Sequence, residues 1–252
     1  MSAEAISGNS DIVIQVEGLR KSFGHLEALR GIDFELRQGE FLTLFGPNGA
    51  GKTTLIRILS ALTRPTSGTA RVAGYDVVEA DPGMRREIGV ISHASFLYDD
   101  LSPLENLKFY SKMFGLDQPE ERAAQVIDEV GLKPRIHDRV RTFSRGMLQR
   151  LSIARAILHN PSILFLDEPY TGLDQHAAIL LREHLQALHT GKRTVVMTTH
   201  DFSRGLEMCD RVAIQVRGRF VLWEEIGHVD REHFEKFYLD AVQNHTAQRA
   251  GA

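Results

Sequence analysis

One stretch limits what this chain can fold into more than any other, the glycine-rich run GPNGAGKT at residues 46–53. It fits the phosphate-binding pattern G-x-x-x-x-G-K-[ST], which requires a strand before it and a helix after it. Residues 40–45 form an apolar strand candidate, and residues 54–62 carry apolar side chains at helical spacing. We therefore predict a nucleotide-phosphate site formed by Gly46, Pro47, Asn48, Gly49, Ala50, Gly51, Lys52, Thr53 and Thr54.

The residue types in this run suit a polyphosphate. Several backbone N–H groups must converge on the phosphate oxygens, and glycines let the backbone approach without a Cβ in the way. The following helix adds its free N–H groups and the positive end of its dipole. Lys52 supplies a positive charge for the outer phosphates, and the Thr53 hydroxyl is placed to bind Mg²⁺. The alternative interpretation is a glycine-rich turn that binds no ligand.

Composition narrows the class of protein. A chain of 252 residues can form one large α/β domain or a domain with an inserted lobe. Its net charge of −3 lacks the strong basic character of nucleic-acid-binding proteins, so we predict no nucleic-acid partner. Cys209 is the single cysteine, which excludes an internal disulfide and suits a reducing compartment. No apolar run approaches a membrane span, so we expect a cytoplasmic chain whose membrane work would need another chain.

The order of candidate elements predicts an α/β core that is interrupted by a helical lobe. The core, with its β subdomain, comprises residues 11–92, of which 11–45 are strand-rich, and residues 161–223, where apolar strands alternate with helices. Residues 93–160 are predominantly helical in pattern and are predicted to form an inserted lobe. The prediction is therefore one domain over residues 11–223, followed by a polar extension, residues 224–252, with a short helix and a loose tail.

Local signals place several element boundaries. Short strands that partly alternate apolar and polar residues are predicted at residues 11–16 and 32–36. In the helical lobe, Ser102-Pro103-Leu104-Glu105 is a capping box that starts one helix, and Gly115 ends it. The next helix starts with Pro119-Glu120-Glu121 and ends at Gly131.

A second motif follows the helical lobe, where the apolar run Ile163-Leu164-Phe165-Leu166 leads into Asp167 and Glu168. Wholly apolar runs of this length are typical of strands buried inside a parallel sheet. A carboxylate at the end of that strand, Asp167, is predicted to ligate Mg²⁺ directly or through water. Glu168 is predicted to orient the attacking water and accept its proton. The alternative is two solvated acids at a strand end.

A third motif, Phe143-Ser144-Arg145-Gly146-Met147, opens the helix that leads into the second motif. Here the chain resembles the ATP-binding-cassette (ABC) ATPases, which carry a Leu-Ser-Gly-Gly-Gln signature at this place. Ser144 and Gly146 match that signature, whereas Phe143, Arg145 and Met147 depart from it. The resemblance implies that Ser144 and Gly146 bind the γ-phosphate held by an opposite subunit in a head-to-tail dimer. A plain helix cap at Ser144 is the alternative, and the two roles are compatible.

The resemblance also implies roles for four further residues. Asp174, in Gly172-Leu173-Asp174, matches the family's D-loop, and His200 matches the switch histidine that contacts the γ-phosphate. Phe23 stands where an aromatic ring stacks on adenine. His93 stands where the family has a glutamine that serves Mg²⁺ and the attacking water. Three of them have a structural alternative: a histidine at a strand end for His200, a core residue for Phe23, and packing against a membrane subunit for His93.

The resemblance implies an α/β fold with a P-loop NTPase (RecA-like) core, an antiparallel β subdomain and an inserted helical subdomain. It also implies ATP and Mg²⁺ as ligands, with a second ATP-binding subunit and a transmembrane permease as partners at the inner face of the membrane. A narrower resemblance, to the ATPase subunit of the haem-exporter group of cytochrome c maturation, rests on residues 92–93, 96–101, 104–107, 144–147 and 167–174. The rival functions are a soluble ABC ATPase acting on ribosomes or DNA, and a P-loop kinase or nucleotide-binding regulatory module.

Overall fold

The computed structural model describes residues 11–79, 81–92, 95–173, 175–190 and 193–247. Its strands are β1 (Ile12–Phe23), β2 (Leu26–Arg37), β3 (Phe41–Phe45), β4 (Ser67–Val72), β5 (Tyr75–Asp76), β6 (Ile88–Ile91), β7 (Ile163–Asp167), β8 (Thr194–Thr198), β9 (Arg211–Val216) and β10 (Arg219–Glu225). Its α-helices are α1 (Lys52–Leu59), α2 (Pro82–Glu87), α3 (Pro103–Met113), α4 (Pro119–Glu129), α5 (Arg145–Ile157), α6 (Gln175–Thr190), α7 (Phe202–Glu207) and α8 (Phe234–Ala247). Short 3₁₀ segments lie at Lys133–Arg135, Val140–Thr142 and Ile226–His228.

A six-stranded sheet in the order β10-β9-β3-β8-β7-β6 forms the core. Its strands pair in parallel except for β10, which is antiparallel to β9. Strands β3, β7 and β8 are buried along their whole length, as their mainly apolar sequences predict for a sheet covered on both faces. The carboxyl ends of parallel strands meet at one edge, so the residues that follow β3, β7 and β8 lie together there.

A second, four-stranded antiparallel sheet has the order β2-β1-β4-β5. Its apolar residues share a core with α1 and one face of the large sheet, including Ile14, Leu36, Leu55 and Val196. The two predicted short strands, residues 11–16 and 32–36, are parts of β1 and β2, each of twelve residues. The shorter prediction was wrong because register shifts, as between Val16 and Leu19, interrupt the alternation from which a strand is recognised.

The predicted helices of the lobe are confirmed. The Ser102 hydroxyl accepts a hydrogen bond from the Glu105 backbone N–H at 3.2 Å, and the Glu105 carboxylate accepts one from the Ser102 N–H at 2.7 Å. Gly115 and Gly131 follow α3 and α4 with φ of 67° and 66°, the left-handed conformation that ends helices. Helices α3, α4 and α5 share a core with the other face of the large sheet, so the lobe and the sheet are packed together.

The helix after the phosphate loop begins earlier than predicted, at Lys52 rather than Thr54, and ends earlier, at Leu59 rather than Leu62. It begins directly after Gly51, whose φ of 106° turns the chain into the helix. Just beyond its end, Ala61 has a left-handed φ of 54°, a conformation that a right-handed helix cannot contain. Helix α2, capped by Asp81, was not predicted because its six residues are too few to show an apolar period.

The prediction for the carboxyl-terminal residues was also wrong in part. Strand β10 runs to Glu225, and α8 is fourteen residues long rather than short; residues 248–252 lie outside the described residues. Phe234 of α8 is buried, with its ring centroid 5.2 Å from that of Phe45 and 5.7 Å from that of Phe202. An aromatic anchor supplies much apolar contact from a single residue, which is why a polar segment still packs as a helix.

Two expectations from composition concern Cys209 and the membrane. The Cys209 side chain is buried, and burial raises the pKa of its thiol to about 11, as suits a small core residue. Within the described part of the chain, none of the helices combines the length and the apolar character that crossing a bilayer would need.

Candidate active site

The phosphate loop packs so tightly against its neighbours that two of its glycines are required. A Cβ on Gly46 would collide with the backbone carbonyl of Gln215 on β9, and one on Gly51 would collide with the carbonyl of Ala28 on β2. Backbone bonds hold the middle of the loop: Ala50 N–H donates to the Pro47 carbonyl, and Gly218 N–H donates to the Ala50 carbonyl at 2.8 Å. The loop therefore has one fixed path across the strand ends.

Helix α1 aims its amino end into this loop. Its first residues follow Gly51, and among the described residues no side chain caps its amino-terminal N–H groups. Uncapped N–H groups and the helix dipole together favour an anion at this position. The loop therefore has the geometry of a phosphate cradle.

Lys52 lies inside the cradle, with only 7% of its surface exposed. Its Nζ donates to the carbonyl oxygens of Gly46 at 2.6 Å and Pro47 at 3.3 Å, and lies 4.0 Å from a carboxylate oxygen of Glu168. Burial lowers the pKa of Lys52, and the negative charges of Glu168 and Asp167 act in the opposite direction. The ammonium group thus bridges the loop and the acids at the end of β7.

Asp167 faces the loop from the end of β7. Its Oδ1 accepts hydrogen bonds from the Thr53 hydroxyl at 3.2 Å and from the Thr198 hydroxyl at 2.7 Å. A carboxylate and a hydroxyl this close form the hard oxygen donor set that Mg²⁺ prefers, so the residues present fit this ion. Thr198 was not singled out from the sequence; a polar residue at the end of the apolar run of β8 was the available signal.

Glu168 sits in a strained backbone conformation between Lys52 and His200. Its φ is 52°, a left-handed value that costs about 1–3 kcal/mol for a residue other than glycine. Its N–H is held by the Thr198 carbonyl and hydroxyl, at 3.1 and 3.0 Å. One carboxylate oxygen lies 2.9 Å from Nδ1 of His200, and the other lies on the Lys52 side. The two predicted residues Glu168 and His200 are thus in direct contact.

Phe23 borders the smaller of two cavities at the loop, of about 480 Å³, together with Thr54 and loop residues 47–53. Phe23 is 52% exposed, and Lys21 Nζ lies 4.9 Å from the centroid of its ring. The core interpretation of Phe23 is therefore wrong, because its ring is largely accessible beside the loop.

The larger cavity, of about 810 Å³, lies between the loop and α5. It is bordered by Gly46, Asn48, Thr53, Asp167, Glu168 and His200 and, from the opposite side, by Arg145, Gln149, Thr171 and Leu173. Neither Ser144 nor Gly146 lines either of these two cavities. Ser144 caps α5 by accepting a hydrogen bond from Met147 N–H at 3.3 Å.

Helix α5 is tied to the segment that follows Glu168 by two contacts that the sequence did not reveal. The Gln149 side-chain amide donates to the carbonyl oxygen of Pro169 at 2.9 Å. The Arg145 guanidinium packs directly on Gly172, where any Cβ would displace it. Arg145, a departure from the family signature, thereby connects the start of α5 to the turn after Pro169.

Two predicted site residues, His93 and Asp174, lie outside the described residues. Their described neighbours Ser92, Ser95 and Leu173 border the larger cavity. The proposed roles of His93 and Asp174 stay predictions.

Comparison with known proteins decides the family. The sequence profile of the ABC transporter family matches residues 29–171, more than half of the chain. The chain belongs to the ABC transporter family, as an ATP-binding subunit. Its predicted α/β fold and its predicted class of enzyme, an ABC-type ATP hydrolase, are confirmed.

Curated relatives of this ABC subunit have names that refer to drug resistance or to Nod factor export. It is 36% identical over 211 residues to the linearmycin resistance ATP-binding protein LnrL of Bacillus subtilis, covering 83% of this chain and 68% of the relative. It is 35% identical to the Nod factor export ATP-binding protein I of Cupriavidus metallidurans, covering 82% of this chain and 69% of that one. The doxorubicin resistance ATP-binding protein DrrA of Mycobacterium tuberculosis is 37% identical, with coverage of 82% and 63%.

Solved structures agree with the family. The ATP-binding subunit of an ABC transporter superposes on this subunit with a TM-score of 0.82 at 26% identity, covering 91% of this chain and 99% of the other. A dimeric ATP-binding cassette in a post-hydrolysis state, bound to ADP and Pi, has a TM-score of 0.78 at 25% identity, with coverage of 84% and 98%.

Proposed function

We propose that this subunit binds MgATP in pairs and hydrolyses it to drive export through a separate transmembrane permease. The observation that carries the proposal is the meeting of Lys52, Asp167, Glu168 and His200 around the phosphate loop at one edge of the sheet. This edge offers an anion cradle, a Mg²⁺ donor set and a carboxylate that can receive a proton, which together are the requirements of phosphoryl transfer to water.

Different residues of the chain would bind the adenine, the triphosphate and the Mg²⁺ of MgATP. We assign adenine stacking to Phe23, an exposed residue that borders the smaller cavity. The triphosphate would lie on the backbone N–H groups of Gly46–Thr54, and Lys52 would turn from the loop carbonyls to the outer phosphates. Thr53 and Asp167 would hold Mg²⁺, which neutralises phosphate charge when it is bound.

Glu168 is the proposed general base. Its carboxylate would orient a water molecule toward the terminal phosphate and take its proton, while Nδ1 of His200 fixes one carboxylate oxygen. The strained backbone at Glu168, pinned by Thr198, holds the carboxylate toward the loop rather than along the strand. We assign contact with the γ-phosphate to His200 and to His93.

The proposed partner in the ATP-bound dimer is another copy of this subunit or a close relative of it. Ser144 and Gly146, outside both cavities of their own chain, would reach the γ-phosphate on the opposite subunit through the amino end of α5. Asp174 would lie in the same interface. We propose that residues 11–223 form the ATPase domain, with residues 93–160 as the inserted lobe that transmits closure to the permease.

We propose export as the direction of transport and name no individual cargo. The relatives above are named for resistance to linearmycin and doxorubicin and for Nod factor export, which favours an exporter at the inner face of the cell membrane. Haem export remains a narrower prediction that rests on sequence resemblance. Nucleic acid is not proposed as a partner.

Two measurements test the proposal. The purified chain should release phosphate from MgATP slowly with no acceptor added, whereas a kinase would need an acceptor. A tagged chain should co-purify with a membrane protein after mild detergent extraction, and the identity of that protein would name the transporter. Co-purification with ribosomes or DNA and not with membrane proteins would contradict the coupling to transport.

His93 gives a prediction for the pH dependence. Only a neutral imidazole has a free ring nitrogen that can accept a hydrogen bond, and the unperturbed pKa of histidine is about 6.5. We expect ATPase activity to fall on the acid side of neutrality as His93 is protonated. His93→Gln should flatten this limb while keeping substantial activity. The test is the pH–rate profile of both proteins at saturating MgATP, from about pH 5.5 to 8.5. Superimposable profiles would exclude a titrating role for His93 and leave only packing against a membrane subunit.

A further inference from the structure

Gln215 is a buried polar residue that the proposed mechanism does not yet use. It lies in β9 among Val212, Ala213, Ile214 and Val216, and its side chain is fully buried. In the part of the chain that the structure describes, neither its side-chain nitrogen nor its side-chain oxygen has a hydrogen-bond partner. An apolar residue would fit this position at no such cost, because a buried amide without partners destabilises the fold.

The position of Gln215 connects it to the phosphate loop. Its backbone carbonyl contacts Gly46, the first loop glycine, so closely that no Cβ fits there. Its side-chain Nε2 lies 2.7 Å from where a Cβ of Gly51, the last loop glycine, would stand. One residue therefore spans the base of the loop, and its amide is directed at the backbone that precedes α1.

Nucleotide binding would change the hydrogen-bond needs of this backbone. The carbonyl oxygens of Gly46 and Pro47 accept from Lys52 Nζ in this structure. When Lys52 turns to the phosphates, as proposed above, these oxygens lose their donor. The Gln215 side-chain amide, whose Nε2 lies at the Gly51 end of the loop, is fully buried and has two unused N–H donors within the described residues.

We propose that Gln215 is a positioning residue whose side-chain amide hydrogen-bonds the base of the phosphate loop when the loop closes on a triphosphate. The inference deepens the proposed function and rests on it. Such a role explains why β9 carries an amide where packing alone favours a hydrophobic residue. The unpaired amide lowers the stability of the nucleotide-free protein, and its hydrogen bond raises the affinity for the nucleotide.

Gln215→Met tests the inference, because methionine has a similar length and no hydrogen-bonding amide. We expect the Tm without nucleotide to rise or to stay unchanged. The apparent KM for ATP should rise roughly five- to tenfold, the factor that corresponds to one lost hydrogen bond, while kcat changes little. The rise in Tm on adding the magnesium complex of a non-hydrolysable ATP analogue should be smaller than in the wild type.

Ser111→Ala is the matched control. Ser111 on α3 is also fully buried, and its hydroxyl lacks a partner within the described residues. Because α3 lies in the helical lobe, this variant should match Gln215→Met in Tm without nucleotide but keep the wild-type KM and the wild-type response to the analogue. Gln215→Leu, a second apolar variant, should behave like Gln215→Met.

Three results would overturn the inference. An unchanged KM and an unchanged response to the analogue would show that the amide is only an unpaired core group. A lower Tm without nucleotide, or failure of both apolar variants to fold, would show that the amide already has a structural partner. If the wild type itself does not respond to the analogue, the proposed function fails as well; a wild-type response shared by the variants removes the role of Gln215 alone.

Discussion

Replacing Glu168 by glutamine should nearly abolish ATP turnover while ATP binding persists. The amide has the shape of the carboxylate but cannot take a proton from water, and a general base of this kind contributes about 10²- to 10⁴-fold to the rate. Binding should survive because the loop amides, Lys52, Thr53 and Asp167 are unchanged. Removing the negative charge 4.0 Å from Lys52 should also free its ammonium group for the phosphates.

Two measurements check the Glu168→Gln result. Phosphate release at saturating MgATP should fall by the stated factor, and size-exclusion chromatography with ATP should show a stable dimer, since a pair that cannot hydrolyse ATP cannot reopen. Glu121→Gln, at an exposed position on α4, removes a carboxylate far from the site and should keep the wild-type rate. A Glu168→Gln protein that retains most of the wild-type turnover would remove Glu168 from the role of base.

Ser144→Arg should leave ATP binding by the single chain intact but block dimer closure and hydrolysis. The physical reason is the proposed dimer, in which Ser144 at the amino end of α5 would meet the phosphate of the opposite subunit. A bulky side chain at the amino end of α5 would occupy that meeting point. ATP affinity of the monomer and steady-state turnover are the two quantities to measure.

Mixing experiments separate a composite site from a simple folding defect. In a dimer of a Ser144→Arg chain with a Lys52→Ala chain, one site combines an intact loop with an intact signature, so some activity should return. A chain that carries both substitutions creates no intact site with either single variant, and those mixtures should stay inactive. If mixed dimers form and activity never recovers at any ratio, the head-to-tail arrangement is wrong.

The sequence by itself determined the position and the chemical class of the site, because the relevant signals are local. A phosphate loop is a run of eight neighbouring residues, and the apolar runs of β3 and β7 place Gly46 and Asp167 at strand ends. Parallel pairing then brings those ends to one edge of the sheet. The helix boundaries at Ser102, Gly115 and Gly131 follow from capping chemistry within a few residues and needed no tertiary contact.

The tertiary structure decided what depends on residues distant in the chain. The left-handed backbone of Glu168 and the hydrogen bonds of Thr198 to this segment join β7 to β8. Phe234 turned a polar extension into a packed helix because its ring meets Phe45 across nearly two hundred residues of sequence. The sequence of β9 alone does not single out Gln215, whereas the fold brings this residue against Gly46 and Gly51 of the loop. Pairing and burial of this kind are set by the packing of the whole chain, which no short window of sequence contains.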